Sequence, residues 1–479
     1  MNFGFSASEH EGGKMSTETT SSPASKGEID AASRQCKQLR GTLHGTLVMP
    51  RDPDYDEARR VWNGTVDKRP AMIVYCADAD DVVAAVRFAR SIDARVAVRS
   101  GGHNVAGLSV CDAGIVIDLS RMKQIDVDAD RRVVRAEAGL NLGEFDRATM
   151  AHGLATTTGV ISDTGLAGLT LGGGFGKLGR KYGLTCDNLV AVEMVTADGQ
   201  KLVASDREHS DLFWAVRGGG GNFGIATAFH LRLHPLDPEL LVCSLLYPFE
   251  QARAALRFYD QFARSATDEV SADAAFIANP SGEQFFSISA CYVGAPDSGR
   301  QVLDALMQSG SPVDCRLERL PYLQIQSNGN SVFPRGRRYY WKAQFLREIE
   351  DGAIDAVLDA YERAPSPSSL LVFQHVGGAI ARVAGSVTAY PHRNASFDCF
   401  PVAIWDDAAE DAANVQWARG IWDALRPYSS GGVYANNLGD EGDERVKEAY
   451  GNNYARLASI KRLYDPDNVF HMNQNIAPA

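Results

Sequence analysis

The chain has 479 residues, of which 60 are acidic and 48 basic, so its formal net charge at pH 7 is -12. This balance disfavours a nucleic-acid partner, because phosphate backbones select clustered Lys and Arg. No apolar run approaches the roughly 20 residues that span a bilayer, and the first residues lack the basic and apolar stretches of a signal peptide. We therefore expect a cytoplasmic protein without a membrane partner that acts on a small molecule, and the sequence leaves its oligomeric state open.

The 8 cysteines are scattered and include no CxxC pair. This spacing predicts neither a zinc site nor a dense disulfide framework, so we expect no metal. Most of these cysteines are expected to be small buried hydrophobic residues.

Residues 1–34 are rich in Ser, Thr, Gly and Glu and predict a disordered tail. Beyond them, apolar periodicity predicts alternating short strands and helices up to about residue 235. The strands are expected at residues 72–76, 95–98, 114–119, 132–136, 189–196, 201–204 and 225–233, and the helices at 80–91, 141–152 and 210–217. A glycine-dense stretch at residues 159–183 predicts backbone that approaches a ligand closely or a series of tight turns.

Past residue 238 the glycine density falls and a different mixture begins, so we place a domain boundary near residues 236–240. A strand is predicted at residues 285–292, another in the segment LLVFQHVGG that starts at Leu370, and a helix at residues 353–363. The final stretch predicts one helix over residues 445–464, followed by an irregular polar tail.

Two glycine patterns resemble nucleotide motifs but lack their context. In GGGFGKL, residues 172–178, the lysine is followed by Leu instead of Ser or Thr, which disfavours a phosphate loop. The glycines of residues 219–224 fit G-x-G-x-x-G, but a predicted helix precedes them and a strand follows, the reverse of a Rossmann site. RSGGHN at residues 99–104 is different, because it follows a strand and its glycines let backbone N–H groups turn toward a pyrophosphate.

Four segments occur together in one order: RSGGHN at 99–104, GLTCDNL at 183–189, GGGGNFGI at 218–225 and YDPDNVFHMNQNI at 464–476. In this respect the chain resembles the berberine bridge enzyme-like family of FAD-linked oxidases, within the vanillyl-alcohol-oxidase or PCMH type of FAD-binding proteins. The resemblance implies an α+β fold. It comprises an FAD-binding domain of two α/β subdomains at 35–238, a substrate domain of antiparallel sheet flanked by helices at 239–430, and a C-terminal segment at 431–479 that returns to the FAD domain.

The resemblance also implies the cofactor, FAD held by two covalent bonds. By motif match His103 bonds the flavin 8α-methyl group and Cys186 bonds flavin C6. Such attachment raises the oxidising power of the flavin, one way in which a protein tunes a cofactor. The other implied cofactor contacts are Arg99, Ser100, Gly101, Gly102, Asn104, Gly159, Val160, Thr164, Gly165, Gly168, Gly174, Ile225, Asn473 and Asn475.

The expected catalytic base is missing. Many relatives keep a Tyr at the end of a Y-x-N-Y segment, and this chain has Asn437 there, in Tyr434-Ala435-Asn436-Asn437. An amide cannot deprotonate a substrate, so Asn437 indicates a changed proton-handling scheme. Tyr434 and Gln374 are the other candidate catalytic residues, the latter for orienting the substrate. Further polar residues that suit a pocket by their chemistry are Tyr339, Tyr340, Lys342, His375, His392 and Arg393.

The function that we expect is oxidation of a CH–OH group in a sugar or secondary metabolite, with electrons passed from FAD to dioxygen and release of hydrogen peroxide. Val160 supports an oxidase, because the resemblance puts it beside the flavin, where a small side chain leaves room for dioxygen. Two alternatives stay open. One is an amine-oxidising or C–C-forming enzyme of the same fold, for which the lost base matters less, and the other is a flavin-bearing protein that binds a ligand or confers resistance without turnover.

Overall fold

The computed structural model describes residues 36–479, and the tail predicted at residues 1–34 lies outside them. Residues 36–41 are helical and belong to a separate small unit, whereas residues 42–479 form one compact unit. No helix within the described range is long and apolar enough to cross a membrane. The α-helices of residues 42–479 are Tyr55–Ala58, Ala79–Ser91, Leu142–Met150, Leu166–Gly172, Gly179–Tyr182, Ser210–Val216, Ala252–Ser265, Pro296–Met307, Tyr322–Ser327, Asp351–Tyr361, Ala379–Arg382, Asp411–Leu425, Asp443–Tyr450 and Tyr454–Tyr464.

Short 3-10 helices occur at Thr185–Asn188, Phe249–Gln251, Ala408–Glu410, Arg426–Tyr428, Ala435–Asn437 and Gly451–Asn453.

The first sheet has four strands in the spatial order Thr46–Val48, Met72–Tyr75, Ile115–Asp118 and Val96–Arg99. Its first pair is antiparallel and its other pairs are parallel. Parallel strands are buried on both faces. This burial explains why the strand Ile115–Asp118 is apolar except for its last residue.

The second sheet has five antiparallel strands, in the spatial order Ile125–Asp128, Val133–Glu137, Ile225–Arg232, Leu189–Val195 and Lys201–Ser205. The predicted hairpin of the last two strands is confirmed. A separate two-stranded sheet pairs Leu154–Ala155 with His234–Pro235.

The third sheet contains all the remaining strands and is antiparallel throughout. Its spatial order is Asp314–Pro321, Glu239–Pro248, Gln284–Tyr292, Val270–Ala278, Leu370–His375, Phe397–Trp405 and Arg338–Trp341, with Gln344–Leu346 also paired to Phe397–Trp405. These strands lie within the range predicted for the substrate domain, although the domain limits themselves stay a prediction.

One face of the third sheet is covered by helices. Residues of Ala252–Ser265, Asp351–Tyr361 and Asp411–Leu425 join the alternate side chains of the sheet in one buried apolar cluster. Because side chains in a strand alternate between faces, the other residues of the same strands are left for the opposite face. The predicted α+β class, with an antiparallel sheet flanked by helices, is confirmed.

The prediction of one helix over residues 445–464 is wrong. The helix Asp443–Tyr450 ends at Gly451, whose φ of 48° lies in the left-handed region, and a second helix begins at Tyr454. The sequence contained a signal for this break, because Gly451, Asn452 and Asn453 have low helix propensity and Gly and Asn commonly follow the last residue of a helix.

A buried ion pair fixes the end of the chain. The Lys461 ammonium donates to Asp465 Oδ2 at 2.6 Å, to the Asn222 carbonyl at 2.7 Å and to the Phe470 carbonyl at 3.0 Å. Both charged side chains are completely buried, so their attraction is poorly screened by water. This network joins the C-terminal segment to the glycine-rich loop of residues 218–224.

Candidate active site

A cavity of about 440 Å³ lies within the unit of residues 42–479. Glycine-rich loops of the first two sheets, the helix-free face of the third sheet and the C-terminal segment all contribute to its wall. Its volume falls within the range of about 300–1,000 Å³ that is usual for ligand pockets. The segments predicted to contact a cofactor are therefore largely brought together.

Two predicted cofactor loops touch through their backbones. A Cβ atom built on Gly101 would lie 2.4 Å from the Gly165 nitrogen, and one built on Gly165 would lie 2.4 Å from the Gly101 nitrogen. No side chain fits at either position, so glycine is required for the contact. Next to it, Gly102 has a φ of 65°, which turns the following backbone toward the cavity.

Most of the predicted cofactor contacts line the cavity. They are Ser100, Gly101, Gly102, His103, Asn104, Gly159, Val160, Thr164, Gly165, Gly168, Ile225 and Asn473. The predicted catalytic residues Gln374, Tyr434 and Asn437 line it as well. The order of segments in the sequence thus predicted which parts of the chain meet.

Three other predicted contacts lie behind the wall of the cavity. Arg99 forms a buried ion pair with Asp118 and donates to the Ala58 carbonyl at 2.7 Å, which anchors the strand before the loop. Gly174 has a φ of 90° and donates its N–H to the Tyr434 hydroxyl at 2.8 Å. Asn475 has a buried side-chain oxygen without a hydrogen-bond partner among the described residues, but it does not line the cavity.

Cys186, the second predicted attachment residue, is enclosed in the structure. Its side chain is completely buried in an apolar cluster with Phe175, Tyr390 and Tyr434, and it is not among the residues that line the cavity. Burial also raises the pKa of the thiol, with a further contribution from Asp187, and the thiolate is the nucleophilic form of cysteine. Because Phe175 and Tyr434 themselves line the cavity, the thiol lies directly behind its wall, and the bond from Cys186 to the flavin stays a prediction.

The hydroxyl group of Tyr434 accepts two hydrogen bonds. Its hydroxyl oxygen receives the Gly174 N–H and the Asn436 side-chain N–H, each at 2.8 Å. Burial raises the pKa of Tyr434. The ring is therefore a neutral, fixed part of the wall at physiological pH.

Asn437 is bound to a carboxylate that sequence reasoning missed. Its amide nitrogen donates to Asp398 Oδ2 at 2.7 Å, and Asp398 Oδ1 is buried without a partner among the described residues. Burial raises the pKa of Asp398 to about 7. Since its amide nitrogen is committed to Asp398, Asn437 can offer its amide oxygen as an acceptor to a ligand in the cavity.

Asp398 belongs to a polar row across the third sheet. It lies opposite Gln374 in the register of the two neighbouring strands. Asp273 lies on the far side of Gln374 and lines the cavity. It accepts a hydrogen bond from the His375 backbone N–H at 2.9 Å and forms an ion pair with Lys177 at 2.5 Å. These residues come from separate parts of the sequence, and strand pairing brings them together.

The six further polar residues that the sequence suggested for the pocket do not line the cavity: Tyr339, Tyr340, Lys342, His375, His392 and Arg393. Arg393 instead forms a buried ion pair with Asp187 at 2.7 Å, and Lys342 pairs with Glu441. Aromatic residues that the sequence did not single out take their place in the wall, namely Trp62, Phe175, Phe333, Trp341 and Phe400. Their ring faces give the cavity a mainly apolar surface.

The residues of the cavity fit a dinucleotide cofactor. The loop at residues 100–104 presents consecutive backbone N–H groups at the end of a strand, an arrangement that suits a pyrophosphate. The side-chain oxygen of Asn473, on the opposite wall, is buried without a partner among the described residues, and such atoms are rare unless a ligand satisfies them. The chemistry and the glycine contacts together fit a protein that binds a dinucleotide cofactor such as FAD.

Comparison with known proteins agrees with this class. A profile of FAD binding domains matches residues 70–205, and a profile described as berberine and berberine like matches residues 433–477. An FAD-linked oxidoreductase of Dictyostelium discoideum is 32% identical over 440 residues, which cover 91% of this chain and 95% of the relative. The chain belongs to the berberine bridge enzyme-like family of FAD-linked oxidoreductases, which confirms the resemblance seen in its motifs.

Two further relatives are informative. The (R)-6-hydroxynicotine oxidase of Paenarthrobacter nicotinovorans is 30% identical over 450 residues, covering 91% of this chain and 97% of the relative. The crystal structure of 6-hydroxy-D-nicotine oxidase from Arthrobacter nicotinovorans has a TM-score of 0.85 at 28% identity and covers 91% and 98% of the two chains. Berberine bridge enzyme from Eschscholzia californica shares the fold, with a TM-score of 0.83 at 21% identity over 93% and 99% of the two chains.

Replacing Gly101 with Ala tests the assignment of the cavity to FAD. The added methyl group would collide with backbone that cannot move aside, and such overpacking costs ~1–3 kcal/mol. We expect the Gly101→Ala protein to bind FAD about tenfold or more weakly than the wild type, measured by flavin content and by titration.

Gly420→Ala is the matched control, because a Cβ atom there meets nothing within 4 Å and Gly420 lies inside the helix Asp411–Leu425. It should keep the full FAD content. Full FAD content in Gly101→Ala would contradict the assignment of this loop contact to the cofactor site.

Proposed function

We propose that the protein is an oxidase that takes a hydride from a carbon next to an amine nitrogen, with FAD joined covalently to His103 and dioxygen as the electron acceptor. Bound FAD supplies the hydride acceptor. The observation that carries the proposal is the hydrogen bond from Asn437 to Asp398, at the position where a base is expected. An unprotonated amine supplies its own electron pair as hydride leaves, so its oxidation needs no base.

The remaining ionisable side chains of the cavity wall support this interpretation, because each is already engaged. Asp273 is paired with Lys177, and the Tyr434 oxygen already accepts two hydrogen bonds. The Tyr450 hydroxyl donates to the Gln474 carbonyl at 3.2 Å. An alcohol would find no free base among them, whereas an amine N–H can donate to the Asn437 amide oxygen.

The surroundings and the relatives support an amine as well. Aromatic residues of the wall, such as Trp341 and Phe400, suit a ring-bearing substrate, since ring faces attract cations and pack against apolar groups. The relative that is 30% identical is named for oxidation of 6-hydroxynicotine, a compound that carries an amine nitrogen. Val160 lines the cavity, and its small side chain supports dioxygen as the acceptor.

Oxidation of a CH–OH group, the function expected from the motifs, is the second candidate. The observation that favours it is Asp398, because a carboxyl group with a pKa near 7 lies directly behind Asn437. Movement of Asn437 would give a substrate hydroxyl a proton acceptor, the Asp398 carboxylate, which forms as the pH rises through about 7.

Anaerobic mixing with a panel of cyclic secondary amines and a panel of alcohols and sugars separates the two candidates. We expect amines to bleach the flavin and alcohols to leave it oxidised. We also expect Asp398→Asn to change the bleaching rate little, and the pH dependence of that rate to follow the pKa of the amine. The measurement is the rate of loss of flavin absorbance.

For the CH–OH candidate the expectations are opposite. Asp398 acts only as the carboxylate, so the rate of flavin reduction would rise with pH through about 7, and Asp398→Asn would lower the rate about 100-fold, the usual loss for a general base. Bleaching by alcohols with this pH profile, and none by amines, would contradict the amine proposal.

Covalent attachment is tested with the two predicted anchor residues. We expect acid-precipitated wild-type protein to stay yellow, because a covalent flavin survives denaturation. His103→Ala should release its flavin into the supernatant, whereas Cys186→Ala should keep it, since Cys186 lies outside the cavity wall. Loss of bound flavin from Cys186→Ala, or a yellow pellet from His103→Ala, would contradict attachment through His103 alone.

A further inference from the structure

Two buried polar atoms at the edge of the cavity face each other without a hydrogen bond. His103 Nε2 and Asp163 Oδ1 are 3.5 Å apart, and each is buried with no partner among the described residues. Buried polar atoms almost always have a partner. Asp163 lies in the loop between Val160 and Thr164, yet neither the motif nor the proposed function gives it a role.

The His103 ring is held in one plane. It stacks on Trp62, with ring centroids 4.3 Å apart and an interplanar angle of 22°. The indole N–H of Trp62 donates to the Phe333 carbonyl at 3.0 Å, and Trp62 also stacks on Tyr339 at 3.9 Å. The imidazole lies against a fixed surface, so it keeps one ring nitrogen toward Asp163.

The other ring nitrogen is left for the cavity. His103 lines the cavity, and its Nε2 is the nitrogen that is buried against Asp163. Nδ1 is therefore the nitrogen on the cavity side. A hydrogen bond at one ring nitrogen decides the tautomer of a histidine, so a carboxylate at Nε2 keeps the proton there and leaves the lone pair on Nδ1.

Asp163 is charged at neutral pH. Its pKa is lowered first by the neighbouring His103 imidazole, and the Arg335 guanidinium, 4.0 Å from Asp163 Oδ2, lowers it further. Arg335 is itself held in place, since it donates to the Gly101 carbonyl. The loop that meets the cofactor thus also fixes the groups around this carboxylate.

We propose that Asp163 is a positioning residue for the attachment of the flavin to His103: it holds the imidazole proton on Nε2, directs the Nδ1 lone pair into the cavity and accepts the Nε2 proton as the bond forms. This role rests on the covalent attachment in the proposed function. It concerns how His103 is activated, and it adds a residue that the attachment motif does not contain.

Attachment of the flavin exchanges one C–H bond and one N–H bond for a C–N bond. A bond forms between His103 Nδ1 and the 8α carbon of the flavin, and one C–H bond of the methyl group breaks with its electron pair left on the isoalloxazine. One proton comes from the methyl group and one from Nε2, which passes to Asp163. Dioxygen takes up the two electrons and two protons, so the products are the oxidised histidyl flavin and hydrogen peroxide.

The carboxylate matters because an imidazole that is alkylated at Nδ1 while Nε2 keeps its proton is a cation. A negative charge 3.5 Å from Nε2 stabilises this cation in a site that is partly shielded from water. Asp163→Asn keeps the shape and removes the charge. Asp163→Glu keeps the charge, and comparison of the two variants separates electrostatics from packing.

The test measures the covalent fraction of flavin in wild type, Asp163→Asn and Asp163→Glu as purified, by acid precipitation and intact mass. It also follows the rate of attachment when each purified protein is incubated with FAD in air. We expect Asp163→Asn to bind FAD and to attach it at least about tenfold more slowly, with partial recovery in Asp163→Glu. Thermal unfolding with FAD present checks that the variants are folded.

The outcomes separate this proposal from the one on which it rests. Wild-type protein without covalent flavin would overturn attachment itself. Covalent wild type together with an equally fast Asp163→Asn would overturn the role of Asp163 alone. A third readout needs no variant: the flavin peptide of the wild type, examined by NMR, should carry the bond on Nδ1, and a bond on Nε2 would overturn the proposal.

Discussion

The close backbone contact between Gly101 and Gly165 is the constraint on which the site depends. It joins the loop after the parallel strands of the first sheet to the start of the helix Leu166–Gly172, and no side chain fits between the two backbones. His103 follows Gly101 in the sequence and Asp163 precedes Gly165, so the contact brings these two side chains together. His103 Nε2 lies 3.5 Å from Asp163 Oδ1. The geometry of the loop that carries His103 is therefore set by two glycines.

The substrate side depends on strand pairing. Asp273, Gln374 and Asp398 come from three strands of the third sheet, and the register puts Gln374 beside Asp398. Because Asp398 is bound to Asn437, this row continues into the segment where relatives keep a tyrosine. The loss of that tyrosine is thus coupled to a buried carboxyl group, and the pair changes what the site can do with a proton.

The sequence predicted the fold class and most of the residues that meet at the cavity, because glycine-rich loops and their order are local features. It did not predict burial at single positions. Cys186 lies in a matching motif, yet its thiol is enclosed by Phe175, Tyr390 and Tyr434, which are distant in sequence. Asp398 and Asp163 were missed because each acquires its role from one partner that only the folded chain brings near. The break at Gly451 could have been predicted, because Gly451 is followed by Asn452 and Asn453, a sequence typical of a helix end.

A crystal structure of the protein as purified tests the central claim most directly, that the cavity holds FAD attached to His103 and faces Gln374 and Asn437. We expect continuous electron density from the imidazole of His103 to the flavin, with the isoalloxazine beside the third sheet and Cys186 unmodified. Density that joins the flavin to Cys186, or a flavin bound away from this cavity, would contradict it.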